Sequence, residues 1–222
     1  MRQDSYIAPW MGIQGDDRHR IIPSLWINYF RGDAGRNASL NLNPQLTLNA
    51  STRFSTSLGL NWTTNHADNQ WFGNFDTLGT THYTFAHLRQ QTLSLTADLG
   101  YTVSTTLSLQ WHLQPFVSRG TYSNVRELAD PRSASYDRRY QAYFDTTVTN
   151  NPGGVDSKQF NSNLVIRWEY RPGSTVFVVW TQGRDAFAPV AGPNGMSGDL
   201  RGLFDLHPDN TFLIKVSYWL NR

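Results

Sequence analysis

The chain has 222 residues, no cysteine, a formal net charge of +2 and a sequence pI of about 9.0. These values exclude disulfides and thiolate chemistry and argue against a nucleic-acid partner, because no basic run accompanies the small charge. Aromatic residues make up 14% of the chain, too many for a disordered protein. No stretch approaches the roughly 20 apolar residues of a membrane-spanning helix, but outer-membrane barrels pass this test because their strands alternate apolar and polar residues.

The first residues begin the strand pattern without the pattern of a secretion signal, as expected for a cytoplasmic chain and equally for a chain whose true beginning is missing. Residues 1–20 contain no apolar core of the kind that a signal peptide needs. A short strand is predicted near 5–14, and the polar turn 15–18 leads from it to the next strand.

An alternation of apolar and polar residues recurs along most of the chain. From 40 to 48 the even positions are Leu or Pro and the odd positions are Ser, Asn, Gln or Thr. A strand collects such apolar residues on one face, whereas a helix would spread them around its circumference. The pattern predicts an all-β chain of about 8–9 strands, near 5–14, 21–31, 38–48, 52–64, 92–103, 106–118, 160–170, 174–182 and 211–220. We interpret Pro44 and Pro115, which lie inside strands, as bulges or as local ends of regular pairing.

The connections between strands favour a membrane barrel over a soluble sandwich. Short polar turns at 49–52, 104–106 and 171–174 alternate with long connections near 64–91, 119–159 and 183–209. Transmembrane barrels have short periplasmic turns and long extracellular loops, whereas a sandwich has no reason to place its long loops at one end. We therefore predict an antiparallel transmembrane β-barrel segment, with a soluble sugar-binding β-sandwich as an alternative.

The polar faces of the predicted strands carry the candidate lumen-facing charges, which are Asp98, His112, Arg167, Glu169 and Lys215. In a barrel this face lines a wet lumen, where the charges would form either a constriction that selects solutes or structural ion pairs. Aromatic residues near strand ends are predicted to lie in interfacial girdles, namely Trp62, Tyr101, Tyr170 and Trp219. No metal-ligand spacing, phosphate loop or nucleophile motif occurs in the sequence, so no catalytic residue, metal or cofactor is predicted.

The longest predicted loop is rich in arginine and tyrosine. Its candidate contact residues are Arg126, Arg132, Tyr136, Arg138, Arg139 and Tyr140. An exposed loop of this composition suits contact with a protein partner, a glycan or lipopolysaccharide. The alternative is a loop that folds over the mouth of the barrel and pairs its own charges.

Several segments carry a resemblance to a known family. They are Leu88–Tyr101, Leu107–Gln110, Gln114–Phe116, Val125–Leu128, Arg167–Thr175, Trp180–Arg184 and Asp209–Leu220. These segments resemble a family of uncharacterised bacterial outer-membrane proteins that are classed as a domain of unknown function. Its members typically carry an N-terminal carbohydrate-binding family-9-like domain and then a large barrel. The resemblance implies that 1–222 is a single barrel domain, the C-terminal portion of a larger barrel, in the bacterial outer membrane. It implies no reaction.

The last predicted strand is similar to the signal that the barrel-assembly machinery reads, with Tyr218 and Leu220 at alternating positions. It departs from that signal because it lacks an upstream glycine and ends in Asn221-Arg222. The expected role is non-enzymatic: a channel, an uptake component or a membrane anchor for a carbohydrate-binding-like domain. The expected partners are outer-membrane lipid and the assembly machinery. An outer-membrane enzyme that acts on glycans or lipids is the alternative from a different class.

Overall fold

The computed structural model describes residues 5–190, 192 and 195–220, and these form one antiparallel β-sheet with three short helices. The strands are β1 Tyr6–Ile7, β2 Trp10–Gln14, β3 Ile21–Gly32, β4 Asn37–Asn49, β5 Phe54–Thr77, β6 Thr80–Thr102, β7 Leu107–Leu128, β8 Tyr140–Ala142, β9 Gly154–Arg171, β10 Ser174–Ala188 and β11 Asp209–Ser217. The helices are α1 Tyr136–Arg139, α2 Thr146–Asn150 and α3 Gly195–Gly202, and a 3₁₀ turn spans Asp33–Gly35. Within the described part of the chain, no helix has both the length and the apolar character needed to cross a membrane.

The strands follow one another across the sheet in the order β1-β3-β4-β5-β6-β7-β9-β10-β11, while β2 also pairs with β3 and β8 with β7. The all-β antiparallel prediction is confirmed. The described sheet has eleven strands rather than the predicted eight or nine, because β8 is added and the first strand is divided. The division falls at Pro9, which has no N–H to donate, although its carbonyl oxygen accepts a hydrogen bond from Tyr29 N at 3.0 Å.

The predicted long connection at 64–91 is wrong, because this segment is a continuous hairpin. Strands β5 and β6 run together for 24 and 23 residues and meet at Leu78-Gly79. These two residues have φ of 49° and 80°, as a two-residue type I′ turn requires. Register shifts between Ala67 and Gln70 and between Trp71 and Gly73 interrupt the simple alternation that the sequence analysis relied on.

The two ends of the sheet still differ. One end, here called the turn end, carries the connections 15–20, 50–53, 103–106 and 172–173. The other end, here called the loop end, carries the 33–36 and 78–79 turns and the long connections 129–153 and 189–208. The predicted Pro172-Gly173 turn is confirmed, since Gly173 has the positive φ of 77° that the third position of a type II turn needs.

Neither in-strand proline makes a bulge. Pro44 pairs with Leu25 of β3, and Pro115 pairs with Phe160 of β9. Each proline interrupts the pairing of its strand with the other neighbour, which is β5 for Pro44 and β6 for Pro115. There the ladder skips two residues and resumes in the same register, for example with Gln45 opposite Gly59. The interpretation as a local end of pairing holds, because proline removes one donor without adding a residue.

The described sheet is open. Strand β11 pairs only with β10, and β1 and β2 at the opposite edge pair only with β3. Every residue of β11 is exposed. The described residues therefore form a sheet with two free edges and not a closed ring.

Replacing Gly79 with Ala is expected to loosen the tip of the β5–β6 hairpin. A side chain at φ 80° costs about 1 kcal/mol, which corresponds to roughly a fivefold faster amide hydrogen exchange near the tip. The control is Gly183→Ala, because a Cβ at Gly183 meets nothing within 4 Å and its φ is not positive. Equal exchange in the two variants would contradict the turn assignment.

Candidate functional site

The pairing of the strands sorts their residues into two faces, because residues directly opposite each other in a ladder point to the same side. On one face of the sheet, eight strands carry mainly apolar residues in the half that lies next to the turn end. We call this region the apolar belt, and it consists of the alternate residues on that face within 21–29, 40–48, 54–62, 93–101, 107–117, 160–168, 176–180 and 212–216. Much of it is open to its surroundings, with Leu58 57%, Leu95 39% and Ile214 70% exposed. Contiguous apolar surface of this size marks a contact with a membrane or a partner.

The belt ends abruptly towards the loop end. The same face then carries basic residues, which we call the rim: Arg31, His66, Arg89, Arg119, Lys158 and Arg184. These residues lie on β3, β5, β6, β7, β9 and β10. The change from leucine to arginine occurs at a similar distance from the turn end on neighbouring strands. It therefore marks a boundary that runs across the sheet.

Aromatic residues concentrate at the turn end of the belt. The rings of Phe54 and Tyr101 lie 6.2 Å apart, and those of Trp168 and Tyr170 lie 5.9 Å apart. Tyr170 Oη donates a hydrogen bond to the carbonyl oxygen of Ser217 at 3.4 Å. Of the other predicted girdle residues, Trp219 also lies at the turn end and Trp62 lies at the opposite boundary of the belt.

The opposite face of the sheet is polar. It carries all five candidate charges. Asp98 lies opposite His112, and His112 lies opposite Asn163 of β9, whose face Arg167 and Glu169 share. Arg167 lies opposite Phe177, which in turn lies opposite Lys215. An amide cluster that the sequence analysis missed lies on the same face. Asn41 Nδ2 donates to Asn61 Oδ1 at 3.1 Å and to Thr63 Oγ1 at 2.6 Å. The hydrogen-bonded partners lie on two different strands, β4 and β5. The cluster can therefore be recognised only once the register between these strands is known.

Four of the five charges on the polar face, all except Lys215, form two separate pairs. His112 Nδ1 lies 2.7 Å from Asp98 Oδ1, and Ser57 Oγ donates to Asp98 Oδ2 at 3.1 Å. Arg167 Nη2 lies 3.2 Å from Glu169 Oε2. Asp98 lies two strands away from Asn163, in the same row of the sheet, and Glu169 lies six residues further along β9. At the usual strand spacing and rise, the two carboxylates are therefore about 20 Å apart. The carboxylate pairs of glycosidases are much closer, so these two carboxylates do not form such a pair. Among the described residues, no group of three or more His, Cys, Asp or Glu side chains is arranged to hold a metal ion.

Buried ion pairs at the loop end hold the 129–153 connection in place. Arg139 Nη1 lies 3.4 Å from Asp33 Oδ1, with side-chain exposures of 1% and 3%. Arg126 Nη2 donates to the carbonyl oxygen of Asp68 at 2.6 Å, and Tyr136 Oη donates to the Asp68 carboxylate. We call Asp33, Asp68, Arg126, Tyr136 and Arg139 the loop latch. It fastens the connection to the Asp33–Gly35 turn between β3 and β4, to β5 and to β7.

The latch corrects the prediction of an exposed contact loop. Arg139 and Tyr140 are buried, and Arg126 and Tyr136 are half-buried and engaged in the latch. The Arg126 guanidinium also lies 4.2 Å from the centre of the Tyr140 ring. Arg132 and Arg138 are the two candidates that remain exposed. The carboxylates Asp33 and Asp68, which lie outside this connection, pair with Arg139 and Arg126 and hold them away from solvent.

The predicted assembly signal lies partly beyond the last strand. Strand β11 ends at Ser217, so Tyr218 and Leu220 follow it rather than continue its alternation. Arg171 Nη1 donates to Tyr218 Oη at 2.7 Å, and Trp219 N donates to Ser174 Oγ at 2.9 Å. Leu220 is 79% exposed.

The fold and its two faces define a single-layer antiparallel β-sheet protein with an apolar belt and a polar opposite face. The chain belongs to the family described as "Domain of unknown function (DUF5916)", whose model matches residues 1–221. That description names no activity. The comparisons with curated proteins and with solved structures found no match.

Acidification is expected to weaken the loop latch through His87, which contacts the Asp68 carboxylate. Burial lowers the pKa of His87, against the attraction of Asp68, which raises it. When the latch opens, His87 regains its ordinary pKa of about 6.5 and binds a proton more readily. Latch stability should therefore be full above that pH and fall below it.

The measurement is amide hydrogen exchange of residues 129–145 at pH 7.5 and 5.5, corrected for the intrinsic effect of pH on exchange. Exchange should be faster at pH 5.5 in the native chain and in His19→Gln, which removes an exposed histidine at the turn end. It should depend less on pH in His87→Gln. Equal protection of the native chain at both pH values would contradict this mechanism.

Proposed function

We propose that the chain forms part of the wall of a bacterial outer-membrane β-barrel. In this arrangement the apolar belt faces lipid and the polar face lines the lumen. The belt supports this proposal most directly. It spans 54–62 on β5 and 93–101 on β6, in the range of the roughly 9–11 residues that a tilted strand needs to cross a bilayer. Aromatic residues at the turn end and the basic rim at the other boundary match the two membrane interfaces.

The unequal ends of the sheet support one orientation. Strands β5 and β6 continue beyond the belt to Thr77 and from Thr80, so their hairpin projects well past the rim. Outer-membrane barrels keep short turns in the periplasm and place their larger structures outside the cell. The turn end is therefore periplasmic in this proposal, and the loop latch lies on the extracellular side.

The free edges of the described sheet require a partner in lipid. Unpaired backbone groups cost several kcal/mol each in hydrocarbon, so a barrel wall must close. In our proposal the sheet is one portion of a larger barrel, and further strands complete it at β11 and at β1–β2. Tyr218 and Leu220 would serve as the signal for the barrel-assembly machinery.

The proposed role is non-enzymatic: a channel, an uptake component or a membrane anchor for a carbohydrate-binding-like domain. The polar face supports it, because its amides and charged groups bond mainly to one another, as in the Asn41–Asn61 cluster and the Asp98–His112 pair. Such side chains suit a wet lumen wall. The distance between Asp98 and Glu169 gives no support to the alternative of glycan hydrolysis at these carboxylates.

A matched pair of substitutions on β6 tests the lipid-facing belt. Leu95 belongs to the belt and Thr96 points to the polar face. In phospholipid vesicles that hold the complete barrel, Leu95→Arg should lower the free energy of unfolding by about 2–4 kcal/mol, because the charge enters hydrocarbon. Thr96→Arg should change it by about 0.5 kcal/mol or less. Urea titration of the vesicle-inserted protein measures both.

The same pair distinguishes the soluble alternative. In water, Leu95 is 39% exposed, so an arginine there would reach solvent and cost little. If Leu95→Arg and Thr96→Arg unfold at the same urea concentration in vesicles, the belt does not face lipid and the barrel proposal fails.

A further inference from the structure

A cavity of about 580 Å³ lies on the belt face where the belt meets the rim. Its lining includes Tyr29, Thr64, His66, Arg89, Gln91 and Arg119. These residues come from β3, β5, β6 and β7 and belong to two successive rows of the sheet. The cavity therefore combines basic groups, hydrogen-bonding groups and one aromatic ring at the boundary of the proposed membrane.

A second cavity, of about 760 Å³, lies closer to the turn end on the same face. Apolar side chains dominate its lining, among them Leu46, Leu58, Leu95, Leu113 and Phe160. One row of the sheet, which includes Trp62 opposite Leu93, separates the two cavities. A basic cavity thus lies directly beyond an apolar one along the strand direction.

The basic residues of the rim differ in whether the protein itself neutralises them. Arg119 Nη1 lies 3.3 Å from Asp199 Oδ2, and Lys158 Nζ lies 3.1 Å from Asp199 Oδ1. The α3 segment therefore balances the rim on β7 and β9. Arg89 is exposed, and no carboxylate of the described residues lies within ion-pair distance of its guanidinium. The same is true of Arg31 on β3.

The loop latch leaves Arg89 available. The Asp68 carboxylate contacts His87, Arg126 and Tyr136. The Asp68 charge is therefore satisfied within the latch. Arg89 contributes to the cavity an exposed positive charge that is open to an external anion.

We propose that the two cavities bind a phosphorylated lipid, with its phosphate against Arg89 and its acyl chains in the apolar cavity. Arginine binds phosphate through parallel N–H···O bonds, and hydroxyl or amide groups such as those of Thr64 and Gln91 can donate to the remaining oxygens. Tyr29 suits the same depth, because its ring packs on chains while its hydroxyl reaches the headgroup. This inference rests on the proposed function, since it assigns the lipid that would contact the belt.

The assignment also changes which arginines meet lipid phosphate. The sequence predicts contact with a protein partner, a glycan or lipopolysaccharide in the arginine-rich loop, where Arg126 and Arg139 are engaged in the latch. The rim offers Arg89 on the side of the sheet where acyl chains would lie. Phosphate and chain recognition therefore belong to one continuous surface.

The test uses the full chain in neutral detergent micelles and three probes: dilauroyl phosphatidic acid, dilauroylglycerol and inorganic phosphate. Native mass spectrometry counts the bound lipids. Phosphatidic acid should bind at least ten times more tightly than dilauroylglycerol, which has the same chains and no phosphate. Inorganic phosphate alone should bind more weakly than phosphatidic acid, because it lacks the chains.

Variants of one residue locate the site. Arg89→Gln removes the charge with little change in volume, and Arg89→Glu reverses it; both should lower the affinity for phosphatidic acid, the second at least tenfold. Arg53→Gln and Arg53→Glu are matched controls, because Arg53 is exposed at the turn end, far from the cavity. Circular dichroism checks that each variant retains the β-sheet.

Three results would overturn the proposal. These are equal binding of phosphatidic acid and dilauroylglycerol, equal binding of inorganic phosphate and phosphatidic acid, and equal losses in the Arg89 and Arg53 variants. The barrel proposal is judged separately. Arg89 lies outside the belt, so its variants should still insert into vesicles while they lose the bound lipid. If instead the barrel proposal is wrong, Leu95→Arg will leave the free energy of unfolding in vesicles unchanged.

Discussion

The continuous antiparallel pairing of the long strands determines on which face of the sheet each side chain lies. Each ladder fixes which side chains share a face, and a shift of one residue would exchange the two faces. Because β3 to β11 keep a consistent register near the turn end, leucines collect in one belt and amides collect opposite them. Both cavities, the rim and the amide cluster follow from that alignment.

At the loop end, register shifts interrupt the alternation of apolar and polar residues, and ion pairs determine how the chain packs there. Register shifts in β5 and β6 move Asp68 out of the simple pattern and bring it against Arg126 and Tyr136. Asp33 and Arg139 then bury one another. A buried charge of this kind is tolerated only with a partner, so the latch specifies where the connection lies more than it adds stability.

The sequence predicted the part of the fold in which local pattern and structure agree. The strands of the belt, the turns at 50–53 and 103–106 and the Pro172-Gly173 turn all follow from periodicity and turn chemistry. The outer half of the β5–β6 hairpin was missed because its bulges hide the alternation. The burial of Arg139 was missed because its partner Asp33 lies 106 residues away, a separation that no local pattern reports.

The chain has no cysteine, so cysteines introduced one at a time can test directly whether the belt faces lipid. Single cysteines at successive positions from 54 to 66 on β5, each carrying a spin label, can be studied in vesicles by power-saturation paramagnetic resonance. If the belt faces lipid, labels at even positions from 54 to 62 will be accessible to oxygen, labels at odd positions will be accessible to a water-soluble nickel complex, and the label at position 66 will be in water. Equal access of the nickel complex to both sets of positions would contradict it.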